Sequence, residues 1–421
     1  MALLSKLSRR TLFKWGLVSA AFPPVSDRFS SLALAQDAGP EGGKVGVVGG
    51  RAEEELYPAK GLPGGGQLEI RVSATIHTGD ADELEVAQRM KPFDLESWIV
   101  EWTRVAERNE QLAERYAAEG QKVTANEYYL RASNFYRNVC WPQPESEPRM
   151  LRSCQKMRAT FDKAWELVPP FFERVKIKWE GKSLEGYFRK PNGPAGKRFP
   201  TVIAFPGADT FAETTIFRAA PYVSRGMAYL AVDFPGHGSA LRLNNLHLPP
   251  DTERIAKTVI DYLETRPDVD QARIGAQGIS ISGYSAPRAA TSEKRIKAVF
   301  VFSGSYNLQQ DLFDYFPPIQ ERVRWMIGAR DLAEARKKSA EYTLEGTASK
   351  IACPMLVGYS KDDRIMDPQG ALRLYRAAVN TNREMVEGTG HNQAANAGGP
   401  QSVPPPILPD WAAKRLVTES S

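Results

Sequence analysis

The pattern of hydrophobic and polar positions changes its period near residue 170. Between residues 92 and 168, apolar residues recur at steps of three and four, as Trp98, Trp102 and Val105 do in the first segment. This spacing places them along one face of a helix. Three such segments follow one another and are rich in aromatic residues, so the sequence predicts a small helical domain with an aromatic core over residues 92–168.

After residue 168 the sequence predicts strands that alternate with helices. A hairpin is indicated on both sides of Glu180-Gly181. The apolar runs that follow lie at residues 201–205, 228–234, 272–276, 297–302, 354–358 and 384–387, and the helical patterns near 213–225, 251–266, 281–293 and 368–380. Such runs are typical of a mostly parallel sheet that helices cover on both faces. We therefore predict an α/β domain over residues 169–421, with a small helix-rich insertion at residues 305–350.

The first 35 residues predict an export signal. A twin-arginine pattern, Arg9-Arg10, precedes an apolar stretch at residues 15–25 and a small-residue site that ends at Ala35. This stretch is too short and too broken by proline to span a bilayer. We expect the twin-arginine export machinery to bind it, cleavage near Ala35, and a periplasmic or secreted protein with no stable membrane span. Residues 36–91, rich in glycine, proline and charge, are predicted to form an irregular linker.

Composition narrows the classes of function. The chain has 421 residues, and its 55 basic and 50 acidic residues give a formal net charge of +5. A balance this mild, without a Lys/Arg block in the body of the chain, argues against nucleic acid as a partner. Cys140 and Cys154 flank a turn and predict either a disulfide or two buried thiols. No Cys/His cluster indicates a metal, and no cofactor is expected.

The run from Gly278 to Gly283 carries the first candidate chemistry. It follows an apolar run and opens a helical pattern, which is the layout of a sharp strand-to-helix turn with a nucleophilic serine, Ser280, at its apex. Such a turn requires small neighbours, and Gly278 provides one. Ser282 stands where the usual motif has a second glycine. Taken alone, the run is equally well explained as a turn that happens to contain serines.

An acid and a histidine follow in the order that this chemistry requires. Asp363 comes just after the predicted strand at 354–358, and the pattern of residues 363–366 favours it over Asp362. His391 follows the last predicted strand and is the only one of four histidines downstream of both serine and acid. A serine hydroxyl needs a base to remove its proton, and the base needs a carboxylate to fix its tautomer. We predict Ser280 as nucleophile, His391 as base and Asp363 as the orienting acid.

A tetrahedral intermediate also needs two backbone donors for its oxyanion. We expect one from the amide of Ile281, directly after the nucleophile. The other is expected from Ala208, in the loop Gly207-Ala208-Asp209 after the predicted strand at 201–205.

Together these stretches resemble the α/β-hydrolase family that includes 2,6-dihydroxypseudooxynicotine hydrolase and prolyl-oligopeptidase-like esterases. The resemblance spans roughly residues 92–400. It is carried by residues 125–137, the hairpin at 184–187, the loop at 207–209, the Ser280 turn, and the loops of Asp363 and His391. It implies an α/β-hydrolase fold with a cap of N-terminal helices over the active site. It also implies hydrolysis of an ester, or of a carbon–carbon bond beside a ketone, and a homodimer.

The resemblance suggests pocket residues as well. Asp209, Trp98 and Trp102 are candidates to contact a small-molecule substrate, although core packing also explains the tryptophans. Asp311 or Asp314 is a candidate extra acid for carbon–carbon cleavage, with exposed loop carboxylates as the alternative. We predict a serine hydrolase; the alternatives are a prolyl-oligopeptidase-class peptidase and a non-catalytic binding protein on the same fold.

Overall fold

The computed structural model describes residues 47–48, 51–52, 81–91, 94–379, 382–388, 391 and 407–417. The predicted export signal, residues 1–35, and most of the predicted linker lie outside the described residues. The chain divides into two units, Met1–Glu53 and Glu54–Ser421. In the first unit, two short strands, β1 (Val47–Val48) and β2 (Arg51–Ala52), pair in antiparallel fashion. The remaining described elements belong to the second unit.

The first described element of the second unit is a helix, which lies in the segment that the sequence predicts to be irregular. This helix, α1 (Ala81–Arg89), is held by its first turn, where Asp82 accepts hydrogen bonds from Asn109 (2.8 Å) and Arg131 (2.7 Å). Three long helices follow: α2 (Leu95–Ala118), α3 (Lys122–Cys140) and α4 (Pro148–Leu167). They form where the three- and four-residue spacing predicts helices.

Aromatic residues fill the interior of these helices. The ring centroids of Trp98 lie 5.7 Å from Trp102 and 5.8 Å from Trp141. Cys140 and Cys154 are buried as free thiols, which is one of the two states that the sequence left open. No helix in the described part of the chain is long and apolar enough to cross a membrane.

An eight-stranded sheet organises the rest of the unit. Its strands are β3 (Glu173–Trp179), β4 (Lys182–Arg189), β5 (Phe199–Phe205), β6 (Ala228–Val232), β7 (Val269–Ile279), β8 (Ile296–Phe302), β9 (Met355–Tyr359) and β10 (Arg383–Glu387). Their order in the sheet is β10-β9-β8-β7-β5-β6-β4-β3. β4 runs antiparallel to both of its neighbours, and the other pairings are parallel. The predicted mostly parallel sheet is confirmed.

Helices cover both faces of this sheet. They are α5 (Ala212–Thr215), α6 (Ala220–Val223), α7 (Gly238–Arg242), α8 (Glu253–Glu264), α9 (Ser282–Ser292), α10 (Gln320–Met326), α11 (Leu332–Ser339), α12 (Pro368–Ala377) and α13 (Ile407–Leu416). A 3-10 turn, Ile216–Ala219, joins α5 to α6. The segment 305–350, predicted to be a helix-rich insertion, starts with a π-helical turn at Gln309–Phe313 and contains α10 and α11.

The central strands are buried on both faces, which explains their continuous apolar runs. Every residue of β5 is buried. In β8, Val299 and Val301 belong to the same core cluster as residues of α8 and α9. Phe300 and Phe302, which alternate with them, pack with residues of α6 and α13 on the opposite face. The carboxyl ends of the parallel strands therefore meet at one edge, between two layers of helices.

Candidate active site

Ser280 stands at a sharp turn between β7 and α9. Its φ is +63°, in the left-handed region that a non-glycine residue adopts only at a cost. The neighbouring residues leave no room for larger side chains. A Cβ on Gly278 would lie 2.1 Å from the carbonyl oxygen of Ser282, and one on Gly283 would lie 2.4 Å from the carbonyl oxygen of Ser303. This is the strand–turn–helix geometry that presents a serine hydroxyl above a sheet.

The hydroxyl of Ser282 supports this turn from below. Its Oγ accepts a hydrogen bond from the amide of Ile279 (2.7 Å) and lies within donating distance of the carbonyl oxygens of Ile279 (2.8 Å) and Phe205 (2.9 Å). Phe205 ends β5 and Ile279 ends β7, so the hydroxyl contacts the ends of two neighbouring strands at the base of the turn. Serine in place of the usual second glycine is therefore accommodated because its hydroxyl has backbone partners on both strands.

The structure brings the three residues of the predicted triad together. The Oγ of Ser280 lies 3.1 Å from Nε2 of His391. The Nδ1 of His391 lies 3.0 Å from each carboxylate oxygen of Asp363. With the Nδ1 proton directed to the carboxylate, Nε2 is left as an acceptor for the serine proton.

The carboxylate of Asp363 is buried and surrounded by donors. The amides of Ile365 (2.9 Å) and Met366 (3.0 Å) donate to Oδ1, and the hydroxyl of Ser303 donates to Oδ2 (2.7 Å). Burial opposes ionisation, but the hydrogen bond and charge of His391 together with the nearby donors outweigh it and hold the pKa of Asp363 below its usual value. Asp362, the alternative acid, is exposed.

Two backbone amides are available beside Ser280. Ile281 precedes the first residue of α9, and Ala208 lies in the loop after β5. Among the hydrogen bonds of the described residues, neither amide donates to a protein acceptor. Ala208 lines the cavity that contains Ser280 and His391. In α/β hydrolases, an amide next to the reactive serine and one from an early strand loop are the donors that an oxyanion requires, and these two amides have that arrangement.

Of the other residues predicted to line the pocket, one does and two do not. Asp209 lines the Ser280 cavity. Trp98 and Trp102 do not line it; they are buried in the helical core, where the indole nitrogen of Trp98 donates to the carbonyl oxygen of Asn138. Core packing, the alternative interpretation, therefore accounts for both tryptophans.

Asp311 is neither an exposed loop carboxylate nor a residue of this cavity. It is fully buried, accepts hydrogen bonds from the amides of Tyr306 (2.7 Å) and Asn307 (2.9 Å), and pairs with Arg373. These partners make it a structural anchor for the segment after β8. Asp314, the other candidate, pairs with Arg336 at 2.8 Å.

Several residues of the site escape sequence reasoning. Ser303 contacts the triad acid, and the only signal for it is its position directly after β8, the neighbour of the strand that precedes Asp363. The cavity wall also contains Arg137 from α3, together with Thr215, Arg218 and Gln277. These residues come from separate elements, so no regular spacing in the sequence links them to one another. In the described part of the chain, no group of three or more His, Cys, Asp or Glu side chains could hold a metal ion.

A mostly parallel eight-stranded sheet with a strained serine turn after a central strand defines the class of α/β hydrolases. The family model described as "Esterase FrsA-like" matches residues 67–311. The chain belongs to the FrsA-like esterase family, and it is an enzyme of the hydrolase class.

Individual relatives agree with this assignment. The chain is 30% identical over 332 residues to Hydrolase LUC6 of a Fusarium species, covering 68% of this chain and 78% of that protein. It is 35% identical over 223 residues to Alpha/beta hydrolase gkaG of Penicillium citrinum, covering 50% of this chain and 51% of that protein. The crystal structure of 2,6-dihydroxy-pseudo-oxynicotine hydrolase superposes with a TM-score of 0.68 at 24% identity, covering 82% of this chain and 95% of that one. That likeness supports the fold.

The bridging role of Ser282 can be tested by removing its hydroxyl. In Ser282→Ala the buried amide of Ile279 and the carbonyl of Phe205 lose their shared partner, so the free energy of unfolding should fall by about 1–3 kcal/mol. Chemical denaturation of the variant and the wild type measures this difference. Ser292→Ala, at the end of the same helix, is the control and should change stability little. Equal stability of Ser282→Ala and wild type would contradict the bridge.

Proposed function

We propose that this hydrolase cleaves an ester, or the carbon–carbon bond beside an activated ketone, in a small molecule through an acyl-enzyme on Ser280. The observation that carries the proposal is the continuous path from the Oγ of Ser280 through His391 to the carboxylate of Asp363, with contacts of 3.1 and 3.0 Å. At these distances the Ser280 proton can pass to Nε2 of His391 without rearrangement of the side chains, while Asp363 keeps its hydrogen bond to the Nδ1 proton.

In the first half of the reaction, the Oγ of Ser280 attacks the carbonyl carbon while its proton passes to Nε2 of His391. Asp363 holds the Nδ1 proton and stabilises the imidazolium that forms. The carbonyl oxygen becomes an oxyanion, which accepts hydrogen bonds from the amides of Ile281 and Ala208. As the intermediate collapses, Nε2 gives its proton to the leaving oxygen. An alcohol departs, and the acyl group remains on Ser280.

In the second half, a water molecule replaces the alcohol. It attacks the acyl carbon and gives a proton to Nε2 of His391, so the same base serves both steps. The second tetrahedral intermediate uses the same two amides. Its collapse returns the proton to the Oγ of Ser280 and releases the carboxylic acid.

The proton donors of the cavity favour an ester over a carbon–carbon bond. Cleavage next to a ketone leaves a carbanion, which needs a further acid for its protonation. The candidate for that role, Asp311, is held by Arg373 and two backbone amides and does not line the cavity. On the described cavity wall, Asp209 is the one carboxylic acid, and Tyr229, whose hydroxyl donates to Gln277, is a much weaker acid. An alkoxide leaving group needs only the proton that His391 already carries.

We also propose that residues 92–168 act as a cap. Arg137 of α3 lines the same cavity as Ser280, and its Nη2 donates to the carbonyl oxygen of Asp209 at 3.0 Å. A helical segment that contributes to the cavity wall limits the size of the substrate that can reach the nucleophile.

An activity-based probe tests the nucleophile. Wild-type protein should react with a fluorophosphonate probe and hydrolyse p-nitrophenyl butyrate, and Ser280→Ala should do neither. Asp363→Asn should lower kcat by about 10⁴-fold, because the histidine loses the partner that fixes its tautomer. Gel fluorescence and absorbance assays measure these changes, with Ser292→Ala, an exposed serine at the end of α9, as the matched control that keeps the label. Equal labelling of wild type and Ser280→Ala would exclude Ser280 and leave the non-catalytic alternative for this site.

We propose that the protein is exported through the twin-arginine pathway and acts in the periplasm or outside the cell. From the family resemblance, we further propose a homodimer. We also propose that the reaction needs no cofactor. The support for export is the order of Arg9-Arg10, the apolar stretch and the small-residue site before Ala35.

Export depends on the arginine pair in this proposal. The double variant Arg9→Lys/Arg10→Lys keeps the charge but should hold the protein in the cytoplasm, because the pathway's receptor recognises the arginines themselves. Fractionation of bacterial cells followed by immunoblotting measures the distribution. Lys14→Arg, which leaves the pair intact, should be exported as the wild type is. Export of the double variant at the wild-type level would overturn the assignment.

A further inference from the structure

The wall of the Ser280 cavity carries hydrogen-bond donors that have no acceptor among the described residues. Thr215 and Arg218 lie three residues apart along the helical stretch that begins with α5, and Gln277 lies on β7 three residues before Ser280. Arg218 makes no ion pair or hydrogen bond among the described residues, and neither does the side-chain hydroxyl of Thr215. The guanidinium is therefore available to a ligand.

Gln277 is oriented so that it offers a donor. The hydroxyl of Tyr229 donates to Oε1 of Gln277 at 3.1 Å, which fixes the amide group. Within the described residues, its nitrogen then has no acceptor. Tyr229 lines the same cavity, and both side chains are more than nine-tenths buried. A buried amide held in this way costs little further entropy when it binds a ligand.

Arginines outnumber carboxylates on the described wall of this cavity. The wall contains two arginines, Arg137 and Arg218, and one carboxylate, Asp209.

Arg218 is partly buried. A cation in such surroundings attracts an anion more strongly than it would in bulk water.

We propose that the substrate of this hydrolase carries a carboxylate that binds to Arg218, with the side chains of Gln277 and Thr215 as additional donors. The planar guanidinium matches the two oxygens of a carboxylate, which gives orientation as well as affinity. This inference rests on the proposed function, since it supplies the second anchor that positions the ester carbonyl over Ser280. Arg218 is thus a specificity-determining residue, and it takes no part in the proton transfers.

Paired substrates test this assignment. Mono-p-nitrophenyl glutarate places a carboxylate on the acyl side, and 4-carboxyphenyl butyrate places one on the leaving group; p-nitrophenyl and phenyl butyrate are their neutral partners. Wild-type protein should prefer at least one charged ester over its neutral partner by about tenfold in kcat/KM. Arg218→Gln should abolish that preference, because it lowers kcat/KM for the charged esters far more than for their neutral partners. Arg330→Gln, an exposed arginine paired with Glu334, is the control and should keep the preference.

A binding measurement separates this inference from the proposed chemistry. Glutarate should raise the Tm of Ser280→Ala, in which no turnover occurs, and should not raise the Tm of Ser280→Ala/Arg218→Gln. Stabilisation that requires Arg218, together with no hydrolysis by wild type, would refute the proposed function and keep the carboxylate site. Hydrolysis of neutral esters with the same charged-to-neutral ratio in wild type and Arg218→Gln would overturn the carboxylate site and keep the proposed function.

Discussion

The geometry of the site depends on one constraint, the left-handed backbone at Ser280. This turn raises the serine hydroxyl above the sheet, starts α9, and leaves the amide of Ile281 beside that hydroxyl without an acceptor among the described residues. It persists because the surrounding structure leaves no alternative: Gly278 and Gly283 have backbone oxygens where a Cβ would stand, and the Ser282 hydroxyl joins the ends of β5 and β7. Strain at one residue is thus offset by packing and hydrogen bonds at its neighbours.

Much of the fold follows from periodicity. Buried parallel strands are continuous apolar runs because both faces are covered, so their positions can be read without knowing their neighbours. Ser280, Asp363 and His391 could also be predicted from the sequence. Each follows the end of a predicted strand, and the ends of parallel strands lie at the same edge of the sheet whatever the order of the strands. The scarcity of histidine downstream of Asp363 narrowed the choice of base to His391.

What escaped prediction depends on packing between elements that are distant in sequence. Asp311 looks like an exposed loop carboxylate until Arg373, 62 residues later, is placed against it. Trp98 could face a ligand or a core, and only its neighbours decide between them. Arg218, Gln277 and Ser303 lie at the site because of the order of the strands and the position of the helix above them. No local spacing in the sequence predicts that arrangement. Residue 282 is a serine where the usual motif has a glycine. The reason is visible only once the Phe205 carbonyl is placed beside its hydroxyl.

The structure of the protein after reaction with a phosphonate ester tests the account of Ser280 and its surroundings in one measurement. The account predicts a covalent bond from phosphorus to the Oγ of Ser280. It also predicts a phosphoryl oxygen at hydrogen-bond distance from the amides of Ile281 and Ala208, with Nε2 of His391 beside the serine oxygen. An adduct on another residue, or a phosphoryl oxygen directed away from both amides, would contradict it.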